Sequence, residues 1–374
     1  MTSPKPARPG DALPEIDTPA LLVDLDALDA NIALMAARAR AAGVALRPHG
    51  KTHKSVAIAR RQLAAGAVGL CCQKVSEAEA LLPSGVEDLL VSNHVVGARK
   101  LERLAALAGK VRVTTLASDI GHVGMLSAAA VAAGVTIDIL IEIDAGDARM
   151  GLQSSDALLP LAEAIHGAAG LRLRGIQAYN GPMQHVRGAA ERARAAHEAG
   201  ERAAEARARI RAAGLPCPLV TGGGTGSFEA DLASGLLNEI QPGSYVFMDV
   251  DYARNLDADG APYRPFAQSL FVLAGVLRTP APGLAYVDAG AKALNLDCGP
   301  PAVADRPELA FTKASDEQGR IEAAEGAAAP VLGERLRLVP SHCDPNVALY
   351  DWMVAVRGDL VEAVWPVDGR GCLT

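Results

Sequence analysis

Val44-Ala45-Leu46-Arg47-Pro48-His49-Gly50-Lys51-Thr52-His53-Lys54 sets how the rest of the chain is read. An apolar run, Val44–Leu46, ends a few residues before Lys51, and a helical pattern starts at about Ser55. A lysine at the mouth of a buried strand loses its proton more readily than one on a surface. Desolvation and neighbouring cations lower its pKa, and a neutral amine can form a Schiff base with a carbonyl compound. Taken alone, Lys51 also reads as an ordinary exposed lysine.

The strand–loop–helix unit recurs. Apolar runs at Val44–Leu46, Val68–Cys72, Asp88–Ser92, Arg112–Leu116, Ile137–Ile143, Leu173–Ala178, Leu219–Thr221 and Glu239–Ile240 alternate with Ala-rich helical stretches. Eight βα units in series predict a (β/α)₈ barrel. An earlier run, Ala20–Leu25, precedes them, with Asp26 as the expected cap of a helix carrying Leu28, Ile32 and Met35 on one face. After about residue 260 the texture changes to short apolar runs, Phe271–Val276, Leu284–Val287 and Leu336–Val339, with Gly and Pro between them. This second part is expected to be β-rich. Arg187–Gly214 is rich in Ala, Arg and Glu and reads as an exposed helix.

Bulk properties narrow the function classes. A chain of 374 residues holds one large barrel and a smaller domain. A 50% hydrophobic and 21% charged composition is that of a soluble globular protein. Net charge of −7 argues against a nucleic-acid partner. The start, Met1-Thr2-Ser3-Pro4-Lys5-Pro6, has prolines and no apolar core, so no signal peptide is expected. No apolar stretch has the length of a membrane helix. Cysteines 71, 72, 217, 298, 343 and 372 show no CxxC spacing, and reduced thiols in a cytoplasm are expected.

Active sites of such barrels lie at the C-terminal strand ends. Here those ends carry Lys51, Gln73, Asn93, Ser118, Arg149, Tyr179, the loop Gly222–Gly226 and Pro242-Gly243-Ser244. One polar residue there means little; all eight ends sharing one rim is the signal. The loop Thr221–Ser227 follows a strand and precedes an expected helix, so its N–H groups can point at a phosphate. Gly243-Ser244 adds weight, because the last two βα loops of a barrel often share one phosphate. It is not a Walker loop, since the GK[ST] ending is missing. In Ser341-His342-Cys343-Asp344-Pro345, an extended backbone would turn His342 and Asp344 to one face and Cys343 to the other. Imidazole plus carboxylate can chelate Mn²⁺ or Mg²⁺, and a thiolate would shift preference to Zn²⁺. Without context, such a His-x-Asp pair is equally a structural one.

The segment Arg47–Lys54 resembles the lysine motif of the pyridoxal-phosphate (PLP) enzymes built like alanine racemase. Within them it is similar to the group of D-threonine aldolase, D-3-hydroxyaspartate aldolase and D-serine dehydratase. The resemblance runs from Asp17-Thr18-Pro19 to about Trp365. It includes Cys72-Gln73-Lys74-Val75-Ser76-Glu77, Thr221–Gly226 and His342–Pro345. It implies a PLP-binding barrel over residues 26–255. Residues 1–25 plus 256–374 would form the β-rich domain carrying the metal pair. The Schiff-base role falls on Lys51, not on Lys54 or Lys74. Gly224, Thr225, Gly243 and Ser244 match the phosphate cup. Gln73 and Tyr179 match contacts to the cofactor ring, against a reading as packing plus one hydrogen bond. Arg149 would sit near the phenolic oxygen, against an ion pair with Asp144 or Asp147. His185 matches a histidine assisting proton removal from the substrate hydroxyl, against an ordinary loop histidine. His49 either tunes Lys51 or simply packs, and packing is favoured.

The family's aldolases resemble this chain in having His-x-Asp, whereas the D-serine dehydratase branch has His-x-Cys with zinc. Asp344 therefore argues for an aldolase with Mn²⁺ or Mg²⁺ in preference to Zn²⁺. The family often shows Ser-Asp-Glu-His-Gly, and this chain departs from it with Ser315-Asp316-Glu317-Gln318-Gly319. The implied activity is metal-dependent retro-aldol cleavage of D-3-hydroxy amino acids to glycine and an aldehyde. Its rivals are a dehydratase releasing a keto acid and ammonia, and a PLP-binding carrier without catalysis. The β domain with its His-x-Asp pair argues against the carrier. The resemblance also implies a head-to-tail homodimer.

Overall fold

In the computed structural model, which describes residues 3–374, the eight apolar runs close into a barrel. Met1 and Thr2, the start of the stretch inspected for a leader, lie outside the described residues. The strands are β2 (Ala45–Leu46), β3 (Leu70–Cys72), β4 (Asp88–Val91), β5 (Arg112–Ala117), β6 (Ile137–Glu142), β7 (Leu171–Ala178), β8 (Leu219–Gly222) and β9 (Glu239–Ile240), following β1 (Ala20–Asp24). All pairings among β2–β9 are parallel. β2 pairs with β9 on one side and meets β3 on the other through a bridge between His49 and Cys71. Parallel strands are covered on both faces, and every residue of Ile137–Glu142 is buried.

Side-chain alternation fills the barrel in layers. Asp88, Arg112, Asp138, Arg174 and Glu239 form an ionic layer at the bottom around Arg47. Arg47 is 1% exposed and holds both Glu239 oxygens at 2.9 and 3.0 Å. Cys71, Leu90, Leu116 and Leu140 make an apolar layer above it. The top layer is the mouth.

The second domain is a nine-stranded sheet. Its later strands are β10 (Leu270–Ala281), β11 (Leu284–Val287), β12 (Ala302–Val303), β13 (Leu309–Ala314), β14 (Gly319–Ala323), β15 (Arg335–Val339), β16 (Trp352–Arg357) and β17 (Leu360–Pro366). The order is β11-β14-β13-β12-β15-β10-β1-β16-β17, and β10 also pairs with β11. β1 is buried on both faces. Leu21 and Val23 join the main core, and Ala20 and Leu22 join a satellite core with Phe271 and Val354. That explains its apolar run and its place between β10 and β16.

Three local expectations need correction. The helix after β1 starts at Leu25 and is capped by Asp24, which accepts the Ala27 N–H at 3.0 Å; Asp26 lies inside its first turn. β10 extends five residues past the apolar run because its second half is exposed yet paired to β11. Ser341–Pro345 is not extended. A helical turn begins at Cys343 and runs to Val347, with His342 at its cap position.

The lysine loop is clamped by a distant segment. Asp368 Oδ2 accepts the Val56 N–H at 2.8 Å, capping the helix Val56–Ala64. Gly369 N–H donates to the Lys54 carbonyl at 2.9 Å, and Ser76 N–H donates to the Thr374 carbonyl at 2.8 Å. Among the described residues no helix is long and apolar enough to cross a membrane. All six cysteines are free.

Candidate active site

Lys51 follows β2 and its side chain keeps 39% of its surface open, into the mouth. Its Nζ lies 3.8 Å from Asp344 Oδ1. Burial works to lower the Lys51 pKa, but Asp344, with help from Tyr179, outweighs it and the net direction is upward. The expected downward shift is therefore corrected. The neighbour that decides it is an acid from the second domain, not a cation. Lys54, by contrast, is buried in an ion pair with Glu77. His49 packs: its Nε2 is 3.2 Å from Ser92 Oγ, and its Nδ1 is 3.4 Å from the Lys51 N–H. Burial first, then the Lys51 charge, hold it well below the ordinary imidazole range.

Two strand ends form a cup of backbone donors. Among the described residues the N–H groups of Thr225, Gly243 and Ser244 donate to no protein acceptor. Thr225 Oγ1 accepts the Tyr245 N–H at 3.0 Å, which fixes the loop against the next one. A Cβ on Gly243 would lie 2.5 Å from Thr52 Oγ1, so only glycine lets this strand end approach the lysine loop. Gly224 is different from expectation: its N–H donates to Ser227 Oγ at 3.2 Å. Gly226 and Ser227 N–H groups both go to Gln184 Oε1, at 2.8 and 3.2 Å. Gln184, unremarked in the sequence, is thus the side chain that shapes the glycine loop.

On the opposite rim, Arg149 is 52% exposed, lies 3.4 Å from Asp147 Oδ2 and stacks over the Tyr179 ring at 5.7 Å. The ion pair with Asp147 is thus formed, with the Tyr179 ring beside it. Gln73 Nε2 donates to the Ser92 carbonyl at 3.2 Å. Asn93 Oδ1 accepts the His94 N–H at 2.9 Å, and Ser118 Oγ is 2.8 Å from His94 Nε2. Glu142 was missed. It sits on the inward parity of Asp138 and Leu140, one layer up, and that spacing was the available signal. Burial, with Asp147 adding, pushes its carboxyl up to about 7 against the pull of Arg149 and Gln177.

That shift makes a pH prediction. A carboxyl with a raised folded-state pKa binds its proton more tightly in the folded chain. Its stability contribution is full below the ordinary value of 4.5 and is lost as pH rises to about 7. Glu142→Gln is expected to gain stability over the wild type across that window, by up to about 3 kcal/mol, and to hold a level advantage above it. Urea midpoints measured from pH 4 to 8 check this, and a pH-independent difference would contradict it.

The second domain contributes the turn after β15. His342 Nδ1 lies 2.9 Å from Asp297 Oδ2. Ligand atoms of Asp297, Cys298 and His342 all lie within 4.8 Å of one another, a donor set suited to a divalent cation. Asp344 lies outside this triad, yet its charge and that of His342 act on each other. It accepts from Thr52 Oγ1 at 3.1 Å and Ser244 Oγ at 3.3 Å, beside Lys51. Burial would raise its pKa, but Lys51 and then His342 hold it below the ordinary value.

His185 ends the short helix Pro182–His185. Its Nδ1 is 2.5 Å from Asp251 Oδ2, and its ring stacks on Tyr252 at 5.0 Å. Burial first, then the charge or hydroxyl of Tyr179, Asp249 and Asp344, drive the Tyr252 pKa well above its ordinary value, which marks Tyr252 as a neighbour of the mouth.

Residues 23–251 match the family described as alanine racemase, N-terminal domain, and residues 269–356 match the putative serine dehydratase domain. The chain is 45% identical to a D-threonine aldolase of Arthrobacter sp, over 98% of its own length and 96% of that protein's. It is 44% identical to a 3-hydroxy-D-aspartate aldolase of Paracoccus denitrificans, over 98% and 95% respectively. The crystal structure of D-threonine aldolase from Filomicrobium marinum is similar along all of both chains, at 47% identity and a TM-score of 0.96.

Proposed function

The chain belongs to the family of D-threonine aldolase and 3-hydroxy-D-aspartate aldolase, with a barrel of the alanine racemase N-terminal type, and on that premise we propose that it cleaves D-3-hydroxy amino acids to glycine and an aldehyde. The observation that carries the reading is the 3.8 Å approach of Asp344 to Lys51. It brings the amine of the barrel and a carboxylate from the metal-suited turn to one mouth.

The residues present fit PLP. Lys51 would hold its aldehyde carbon. The free N–H groups of Thr225, Gly243 and Ser244, with the Ser244 hydroxyl, would take its phosphate. Tyr179, Arg149 and Gln73 would line its ring. When bound, PLP supplies an electron sink for the pair left on Cα as the Cα–Cβ bond breaks. A divalent ion held by His342, with Asp297, Cys298 or Asp344 as further ligands, would supply a Lewis acid that lowers the pKa of the substrate β-hydroxyl. His185 would take the hydroxyl proton. Its Nδ1 faces Asp251, so Nε2 is the atom left for that task. Once the substrate amine has taken its place, Lys51, kept protonated beside Asp344, would return a proton to Cα. The reading extends to Mn²⁺ or Mg²⁺ as the ion, a homodimer as the assembly, and the cytoplasm as the compartment.

Product analysis tests it. Purified protein with PLP and Mn²⁺ is expected to release glycine and acetaldehyde from D-threonine and nothing from L-threonine. 2-Oxobutyrate and ammonia would instead establish the dehydratase. In the same assay, His342→Ala is expected to lower kcat/KM by about 100-fold or more and to weaken Mn²⁺ binding in titrations of the PLP-loaded protein. Unchanged Mn²⁺ affinity would remove His342 from the metal site.

A further inference from the structure

Building on the reading of His185 as the base, we propose that Asp251 is its positioning residue and ties it to the His342–Asp344 turn. Three observations carry this. Asp251 is almost fully buried and is the hub of a cation cluster: its carboxylate faces His185 Nδ1 at 2.5 Å, pairs with Arg187, and lies 3.6 Å from Arg254. One carboxylate serving an imidazole and two guanidinium groups is held from several sides, so it can fix the ring in one orientation.

The backbone of the same segment is bonded to the metal-suited turn. Asp251 N–H donates to the Ser341 carbonyl at 3.1 Å and Val250 N–H to the Pro340 carbonyl at 3.0 Å. Asp249 Oδ2 accepts the Cys343 N–H at 2.9 Å, while Asp249 Oδ1 accepts the Tyr252 N–H, also at 2.9 Å. Tyr252 in turn carries the His185 ring.

The third observation closes the loop from the other side. Arg187 Nη1 donates to the Asp251 carbonyl at 2.7 Å and to Asn255 Oδ1 at 2.8 Å, and Asn255 Nδ2 donates to the Gln184 carbonyl at 2.9 Å. Both flanks of His185 are thus bonded to residues 251–255. The segment Asp249–Asn255 spans from the base to the turn and sets the distance between them. For proton transfer that distance matters: a displacement of about 1 Å costs on the order of 100-fold in rate.

A double-mutant cycle with D-threonine tests the proposal. Asp251→Asn, nearly isosteric, is expected to lower kcat about 100-fold while KM stays within about threefold and the visible cofactor band is unchanged. His185→Gln is expected to lower kcat by a similar or larger factor. The double variant is expected to be no slower than His185→Gln alone, because Asp251 acts through His185. An Asp251→Asn loss that persists undiminished in the His185→Gln background would overturn the proposal, as would an unchanged kcat. Should the asparagine variant not fold, Asp251→Glu, which keeps the charge and shifts it, carries the same cycle. A wild-type protein that releases no glycine would overturn the functional reading itself, before any variant is compared.

Discussion

Lys51→Ala is expected to lose the visible absorption band of the PLP-loaded protein and to cleave D-threonine about 10⁴-fold more slowly or worse. The reasoning starts from its surroundings. Among the lysines near the site, Lys51 opens into the mouth, while the Lys54 ammonium is spent on Glu77. Alanine at 51 removes the amine that would hold the cofactor. It also strips Asp344 of the strongest charge that keeps its pKa low. The Lys51 side chain is open to the mouth, so stability should change little. Lys54→Ala is expected to do the reverse, leaving Glu77 buried and unpaired and lowering stability first. A visible band that survives in Lys51→Ala, with the protein folded, would end the assignment.

Arg47→Leu is expected to destabilise the barrel by about 3–5 kcal/mol. The guanidinium holds Glu239 through two bonds and reaches the Asp88 carbonyl at 2.9 Å. Asp88 keeps Arg174 as a partner, at 2.7 Å, so its charge is still matched after the change. Glu239 keeps only the Thr221 hydroxyl among its named side-chain partners. The desolvation of a lone buried carboxylate is the dominant cost, larger than the packing lost with the arginine. The double variant Arg47→Leu/Glu239→Leu is therefore expected to recover much of the loss, because a buried pair replaced by apolar groups is often near neutral. Urea unfolding of the single and double variants checks this. Against a typical total of about 5–15 kcal/mol, the single change alone takes a large share.

Legibility in the sequence followed the range of the interactions. Barrel strands were readable because each carries a short, mostly buried apolar run closed by its own turn residues. The rim was readable because strand ends are fixed once strands are. β13, β14 and β17 were not singled out, since half-exposed residues dilute their apolar signal, whereas β16 carries a buried apolar run, Met353–Val356, that was readable and passed over. The turn at Cys343 did carry a local cue. Pro345 lacks an N–H that a first helical turn does not need, and Asp344 is an acid in that turn. The Lys51 pKa direction was beyond reach, because Asp344 is 293 positions away in the chain. Arg47 gave no sign of burial either. Its partners, Asp88 and Glu239, each open a strand, and only barrel closure brings them together.

The Asp368 cap on the helix after Lys51 joins positions 312 residues apart. During synthesis the barrel segments leave the ribosome well before their cap exists. At about 5–20 residues per second, the interval is about 15–60 s. For that time the lysine loop is an uncapped helix start on a growing chain. The clamp on that loop, from Asp368 and Gly369, therefore forms only after the strands of both domains have been made.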